Sequence, residues 1–537
     1  MPPIIEIDHL TYRYPRRDQS ALRDISLCVG EGELLAICGP SGCGKSTLAL
    51  AMGGYLWQRQ GGSSSGTVRV GGADVQDQPL YETADHVVIV QQNPEAQFCT
   101  LTVEDEVAFG LENRRASAQR IEQQVAWALE QVGAVHLRHR DLATLSGGEA
   151  QKVAIAALLA AEPRVLILDE PTSSLDPSAT RDILALLHRL RAESGLTTIV
   201  IEHKLHALRG LNPRLIQMDA GRIVAQSRGI PVPTPLIPRQ PSSPGEIAVR
   251  LEGVRVAYNG TPALGPLDLT LHRGQLIALM GDNGSGKSTA LRAIMGLQPL
   301  AGGRVTVLGR DVSDTAVYQR AAHVGMVFQN PDHQLLADTV YDEATLLSKN
   351  LGLEGKTSSR DSVIQDPVTL LRDPEGNVTP RYSEGPLKCG TVGLVTESEP
   401  VCAIAPPSPH HVVEALLHDA DLLPLRHVHP FTLSYGQKRR LNLVSVSAHQ
   451  PSLLLTDEAL IGQDPANAAR IMDRLRALAD GGACVLLALH DPRVALIYAD
   501  RLLFLRQGEL LVDAPPTEAL RQIVSLGHDA YGLDTDG

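Results

Sequence analysis

Short, unbroken apolar runs, each closed by a glycine-rich or acidic segment, recur along this chain. ELLAIC (33–38) and QLIALM (275–280) lead directly into glycine-rich loops, which predicts a buried strand feeding a helix in each case. VLIL (165–168), the TTIVI run ahead of Glu202, and VLLAL (485–489) read as further buried strands, each beside a helix-compatible stretch. Such strand–helix alternation predicts an α/β fold with a mainly parallel sheet and helices on both faces. One stretch breaks the pattern. RGIPVPTPLIPRQPSSPGEI (Arg228–Ile247) holds six prolines, can continue neither a helix nor a strand ladder, and predicts a semi-rigid extended spacer. The expected division is residues 1–228, a linker at 229–246, and residues 247–537.

The two parts repeat one another. GPSGCGKST (39–47) returns as GDNGSGKST (281–289), and QQNPEAQ (91–97) as FQNPDHQ (328–334). LSGGEAQK (145–152) is answered by LSYGQKRR (433–440), VLILDE (165–170) by LLLTDE (453–458), and IEH (201–203) by ALH (488–490). The order is conserved between the halves, but the second carries about 50 extra residues between its glutamine and LSYGQ segments. That stretch, Lys349–Pro409, is rich in Ser, Thr, Gly and Pro and holds Cys389 and Cys402. It is expected to be a solvated insertion loop, with a regulatory or partner-docking element as the alternative.

A GxxxxGK[ST] segment between a strand and a helix is built for phosphate, because its glycines let backbone N–H groups turn inward at a helix N-terminus. The first such loop is Gly39, Pro40, Ser41, Gly42, Cys43, Gly44, Lys45, Ser46 and Thr47; the second is Gly281, Asp282, Asn283, Gly284, Ser285, Gly286, Lys287, Ser288 and Thr289. Lys45 and Lys287 are expected to meet β- and γ-phosphates, and Ser46 and Ser288 to offer hydroxyls to Mg²⁺. Cys43 reads as a small filler. Each Asp-Glu strand end supplies two acids with different tasks: Asp169 and Asp457 to hold Mg²⁺ through water, Glu170 and Glu458 to orient and polarise an attacking water. His203 and His490 each follow a buried strand, where an imidazole can hydrogen-bond a γ-phosphate, and their recurrence favours a functional role. His427 and His429 lack a third ligand and read as surface.

Composition removes other classes. The 537 residues suffice for buried cores without disulfides or structural metals. A net charge of −13 and 3% aromatic residues argue against a general nucleic-acid binder. Seven scattered cysteines, never spaced Cys-x-x-Cys, fit reduced thiols better than zinc or iron–sulfur sites. The start, MPPIIEIDHL, lacks the features of a signal peptide, and no apolar run reaches the ~18–20 residues that span a bilayer. The expectation is a soluble cytoplasmic protein whose membrane role comes through a partner.

Together these segments resemble the ATP-binding cassette (ABC) ATPases, in tandem, over nearly the whole chain. LSGGE and LSYGQ look like the signature segment that separates this family from other P-loop ATPases: Ser146, Gly147, Gly148 and Glu149, then Ser434, Tyr435, Gly436 and Gln437. The resemblance implies two P-loop NTPase domains, each with a mainly parallel core sheet, an antiparallel β subdomain and a helical signature subdomain. It implies ATP and Mg²⁺ as cofactors and two composite sites, the P-loop of one half facing the signature of the other. It further implies Tyr14 and Tyr258 as adenine-stacking aromatics. Gln92 and Gln329 become Mg²⁺-touching glutamines that report to a membrane partner, and Asp176 and Asp464 the D-loop aspartates at the interface. Two departures stand out. Tyr435 replaces the first signature glycine and is expected to bring its ring near the phosphate of the Lys45 site, and Ala459-Leu460 replaces Pro171-Thr172.

Both halves follow QNPxxQ with an acidic helix start, TVEDEVAFGLEN (102–113) and TVYDEATLL (339–347). This resembles the ATPase components of energy-coupling factor importers of cobalt, nickel and vitamins, here fused into one chain. The resemblance implies a peripheral ATPase on the cytoplasmic face of the membrane, driving an integral coupling protein while a separate membrane protein captures substrate. A soluble tandem cassette acting on ribosomes or DNA is the contrasting reading. The short proline-rich linker, the cysteine spacing and the negative charge all count against it. A fused peptide-importer ATPase stays open, because only the QNPxxQ region separates it.

Overall fold

The computed structural model describes residues 3–230, 236–351, 369–372, 378–381 and 409–533. The apolar runs form the inner strands of two matching six-stranded sheets. In the first half the order is Arg222–Arg228, Arg214–Asp219, Leu34–Cys38, Thr197–Ile201, Val165–Asp169 and Val87–Val90. Only the outermost pair, Arg222–Arg228 with Arg214–Asp219, is antiparallel. The second half repeats the order with Glu509–Ala514, Arg501–Arg506, Leu276–Met280, Cys484–Ala488, Leu453–Asp457 and Val324–Val327, again antiparallel only at its outer pair. The strands read as continuous apolar runs because both faces are covered. Leu35, Ile37, Ile167 and Ile199 pack into one cluster, while Leu34, Ala36, Leu166 and Val200 pack into another on the opposite face.

One of those faces carries a four-stranded antiparallel sheet, ordered Leu22–Gly30, Pro3–Arg13, Ser63–Val70, Ala73–Asp74, with Ile5, Ile7 and Leu27 packed over the helix Lys45–Met52. Its counterpart is Thr261–His272, Ile247–Tyr258, Gly302–Val307, Arg310–Asp311. The opposite face of the first half carries the helices Val103–Asn113, Ala118–Gln131 and Gly147–Leu159. The corresponding helices of the second half, Val340–Asn350, Pro409–Asp419 and Tyr435–Ser447, close over a separate cluster that includes Leu335, Val340, Leu417 and Leu441.

The linker differs from the expected spacer. From Leu236 onward it lies docked on the second half, where Leu236 joins that half's apolar cluster. The Arg239 amide donates to Leu496 O at 3.1 Å, and the Arg239 guanidinium reaches Asp500 at 3.3 Å and Asp480 at 3.2 Å. Asp500, its side chain wholly buried, also accepts from the Ser242 and Leu276 amides and from Arg476. Burial pushes the Asp500 carboxyl up, but these hydrogen bonds outweigh it and hold the group below the usual carboxylate range. Prolines set the backbone shape; the acid–base clip sets where that backbone lies.

The insertion is narrower than expected, since Lys349 ends within the helix Val340–Asn350 and Pro409 opens the helix Pro409–Asp419. Between them, Thr369–Arg372 pairs antiparallel with Val378–Arg381; the rest of the expected insertion loop lies outside the described residues. No helix among the described residues is long and apolar enough to cross a membrane.

Candidate functional site

Each glycine-rich loop is shaped by residues that no side chain could replace. Gly39 and Gly44 have φ of 149° and 106°, and a Cβ would stand 2.1 Å from Met218 O at the first and 2.5 Å from Ala21 O at the second. Gly281 and Gly286 repeat these angles at 147° and 102°. At Gly42 and Gly284, midway round each loop, a Cβ would meet nothing within 4 Å, so the loop is open at its mouth. The buried Lys45 ammonium donates to Gly39 O (2.8 Å) and Pro40 O (3.0 Å); Lys287 does the same to Gly281 O (2.8 Å) and Asp282 O (2.9 Å). Cys43 is buried against Lys45, and burial pushes its thiol up. The Tyr14 hydroxyl lies 3.1 Å from Thr47 Oγ1, with its ring edge-on to Tyr12, whereas Tyr258 is exposed at the corresponding strand end.

Beside each loop, three residues from three segments converge. Glu170 accepts from Gln92 Nε2 at 2.7 Å, and its other oxygen lies 3.1 Å from His203 Nε2. Glu458 meets Gln329 Nε2 at 2.8 Å and His490 Nε2 at 2.7 Å. Both glutamates occupy the left-handed backbone region, with φ of 50° and 54°. For a non-glycine residue this conformation costs on the order of 1–3 kcal/mol and is typical of functional positions. The glutamines, expected at the metal, turn their amide nitrogens to the glutamates, which leaves their carbonyl oxygens as the ends able to meet a cation.

Ser46 faces Asp169, and Ser288 faces Asp457, each hydroxyl favouring the charged carboxylate. Burial pushes Asp169 up to about 6, against the pull of Ser46 and Lys45, and pushes Asp457 in the same direction. Asp457 Oδ1 is buried and without a protein partner. Hydroxyl and carboxylate oxygens with an orphaned acceptor among them suit Mg²⁺, a hard cation that takes oxygen ligands. Glu458 is also desolvated, but His490 and Gln329 outweigh burial and bring it below its usual range.

The halves meet through these same segments. Asp176 caps the helix Pro177–Ser194 with one carboxylate oxygen, while the other accepts from the Asn283 amide of the second loop at 2.8 Å. Asp464 caps Pro465–Asp480 and accepts from the Ser41 amide of the first loop at 2.8 Å. The arrangement is reciprocal. Ser146 and Ser434 each open a helix with a capping box, closed by Glu149 and Gln437, so that Gly147 and Gly148, or Tyr435 and Gly436, form the first turn.

Residues 22–173 and 264–461 match the family profile described as "ABC transporter". The chain belongs to the ABC transporter family. A Methanosarcina acetivorans protein provisionally named as an ABC transporter ATP-binding protein is 30% identical over 99% of this chain and 88% of its own length. A Bacillus subtilis protein provisionally named HMP/thiamine import ATP-binding protein YkoD is 30% identical over 97% of this chain and 93% of its own length. Among solved structures, cbiO1 from Clostridium perfringens, part of the ABC transporter complex cbiONQ, is 32% identical over 42% of this chain and 88% of that chain, with a TM-score of 0.39. As an ABC transporter ATP-binding protein, this chain is an ATP-hydrolysing subunit that works with membrane components.

The two ABC halves differ in ways single-residue motifs do not reveal. In the first, buried Glu202 accepts from the Thr172 hydroxyl at 2.8 Å and from the amides of His203 and Lys204. In the second, Leu460 and Leu489 occupy the matching positions and pack in the apolar core. The Leu460 departure is therefore one half of a paired exchange. Tyr435 also differs from expectation. Its ring turns toward its own half, with the hydroxyl on Gln329 O at 3.3 Å and Arg439 stacked 4.9 Å from the ring centre.

Sequence reasoning also missed Glu106 and Glu343. Each is buried and grips the loop ahead of its helix, Glu106 accepting from the Cys99 and Thr100 amides and Glu343 from those of Leu336 and Ala337. The loops they hold present Leu101, 78% exposed, and Leu336, 79% exposed. The acidic helix starts carried the signal, but only the fold shows which carboxylate turns inward.

Proposed function

We propose that this chain is the fused ATPase pair of an energy-coupling factor-type importer, working on the cytoplasmic face of the membrane, with a vitamin or a transition metal ion as cargo. The observation that carries this reading is the tandem, nearly end-to-end similarity to a relative whose name assigns it to HMP/thiamine import. The QNPxxQ segments with their acidic helix starts support it. The integral coupling protein docks on the two gripped loops, where Leu101 and Leu336 offer exposed apolar side chains. A second membrane protein captures the substrate.

The chemistry follows from the two triads. Backbone amides of the loops and the ammonium groups of Lys45 and Lys287 bind the β- and γ-phosphates. Tyr14 and Tyr258 stack on adenine. The serines and glycine amides of each signature helix complete the γ-phosphate cage of the opposite half. Ser46 with Asp169 and Gln92, and Ser288 with Asp457 and Gln329, would hold Mg²⁺, which neutralises charge on the phosphate oxygens. Glu170 and Glu458 orient a water and take up its proton, and His203 and His490 fix the glutamate and hydrogen-bond the γ-phosphate. Because Asp176 and Asp464 cross to the opposite loop, each half contributes a bond to the phosphate loop of the other.

Purification of the tagged chain from its native membrane in mild detergent tests this. The expected result is one integral coupling protein together with one small membrane protein that retains a vitamin or metal ion. Recovery of a peptide permease pair, or of ribosomes, would overturn the reading.

A further inference from the structure

The two signature helices are attached to their own glutamine segments by different forces. In the second half the attachment is polar and directional. Lys438 reaches Asp332 at 2.7 Å, Asn442 donates to Pro331 O at 2.9 Å, and Arg439 donates to Gln329 O at 2.6 Å. Arg439 is buried, and it also donates to Glu458 O and to the Tyr435 hydroxyl, which in turn donates to Gln329 O. Gln463 adds a bond to Gly436 O at 2.9 Å. In the first half these positions are Ala150, Gln151, Ala154, Gly147 and Leu175, and Gln151 Nε2 is buried without a partner. Its helix therefore rests on its glutamine segment largely through apolar contact, which resists sliding far less than directed hydrogen bonds do.

These attachments join two different ATP sites. Gln329 and Glu458 belong to the Lys287 site, whereas the signature helix that opens at Ser434 completes the Lys45 site. The join extends across the interface at Gly462, where a Cβ would stand 3.2 Å from Gln92 Nε2 and 3.6 Å from the Tyr435 ring. We propose that Lys438, Arg439, Asn442 and Tyr435 form a one-way relay, through which the nucleotide state of the Lys287 site governs turnover at the Lys45 site. Arg439 and Tyr435 are positioning residues in this scheme, since they act through Gln329 and Glu458. The inference rests on the composite-site reading given above.

The test uses the full chain with its membrane components and photolabelling by 8-azido-ATP, with label assigned to each half by peptide mass spectrometry. Glu458→Gln should slow exchange of label at the Lys45 site about tenfold, while Glu170→Gln should leave the Lys287 site within about twofold. Replacing Lys438, Arg439 and Asn442 by Ala, Gln and Ala, the first half's own residues, should make the two dependences equal. If that triple variant does not fold, Tyr435→Phe, which removes only the hydroxyl that links Arg439 to Gln329 O, should still reduce the asymmetry. Equal dependences in the unmodified chain, or an asymmetry that survives both variants, would overturn the relay. Ser434→Ala separates the two readings: it should deplete label at the Lys45 site, and depletion at the Lys287 site instead would sink the composite sites themselves.

Discussion

Glu202 offers the sharpest test of how the first catalytic strand end is held. The residue is 1% exposed, and Thr172 beside it is fully buried. Its carboxylate accepts from the Thr172 hydroxyl at 2.8 Å and from the His203 and Lys204 amides at 3.0 and 3.1 Å. Glu202→Leu imports the second half's solution at one position only and strands three donors. Each fully buried donor left alone costs about 1–3 kcal/mol, and the two amides lie near enough to the surface for water to recover part of that. The sum is about 3 kcal/mol, or a fall of about 6–12 °C in the Tm of a domain this size. Adding Thr172→Leu completes the Leu460–Leu489 pairing, removes the stranded hydroxyl, and should return about 1–2 kcal/mol. Calorimetry on the four members of the double-mutant cycle reads the coupling directly. ATPase assays should show the single variant impaired, because the amide that fixes His203 has lost its acceptor. An unchanged Tm for Glu202→Leu, or strict additivity in the double variant, would refute this account.

Further outcomes are expected. Glu170→Gln and Glu458→Gln should each stop one site while ATP still closes the halves, and the double variant should lose about 10²-fold or more of turnover; normal phosphate release by the double variant would contradict the assignment. Leu101→Asp with Leu336→Asp should abolish co-purification of the membrane components yet spare basal ATPase of the isolated chain, and intact recovery of those components would remove the docking assignment. Burial, with His323 nearby, pushes His449 down to about 4 from 6.5, and both its ring nitrogens lack partners. Above pH 6.5 the group is neutral folded or unfolded, but below it only the unfolded chain takes the proton. Stability should therefore drain as pH falls toward 4, by about 2 kcal/mol between pH 7 and 5. His449→Gln should flatten that slope in thermal-shift measurements, and an identical slope would exclude His449 as its source.

Much of the molecule was legible from the chain because its chemistry is local in sequence. A strand, a glycine turn and a helix start must be consecutive to cradle phosphate, so each loop announces itself. Strands covered on both faces betray themselves by unbroken apolarity. What stayed hidden depends on partners far apart along the chain. Thr172 reads in sequence only as half of a departure, and its partner Glu202 lies 30 residues on; Tyr435 is expected near the Lys45-site phosphate, but Arg439 holds its ring toward its own half. The positive φ of Glu170 and Glu458 leaves no mark on residue identity, since only the surrounding bonds enforce it. The linker prolines described a shape, but Asp500, more than 250 residues after Arg239, decided its place.

The docked linker also fixes stoichiometry. Two separate subunits with different signature segments could pair with themselves as well as with each other, giving assemblies with two identical ATP sites. Here one half leads directly into a strand of chain already clipped to the other by Arg239 and Asp500. The partner is then present at an effective concentration on the order of millimolar whatever the expression level. Every assembled copy therefore carries one site of each kind, so a difference between them acts as a fixed property of the machine instead of an average over mixed populations.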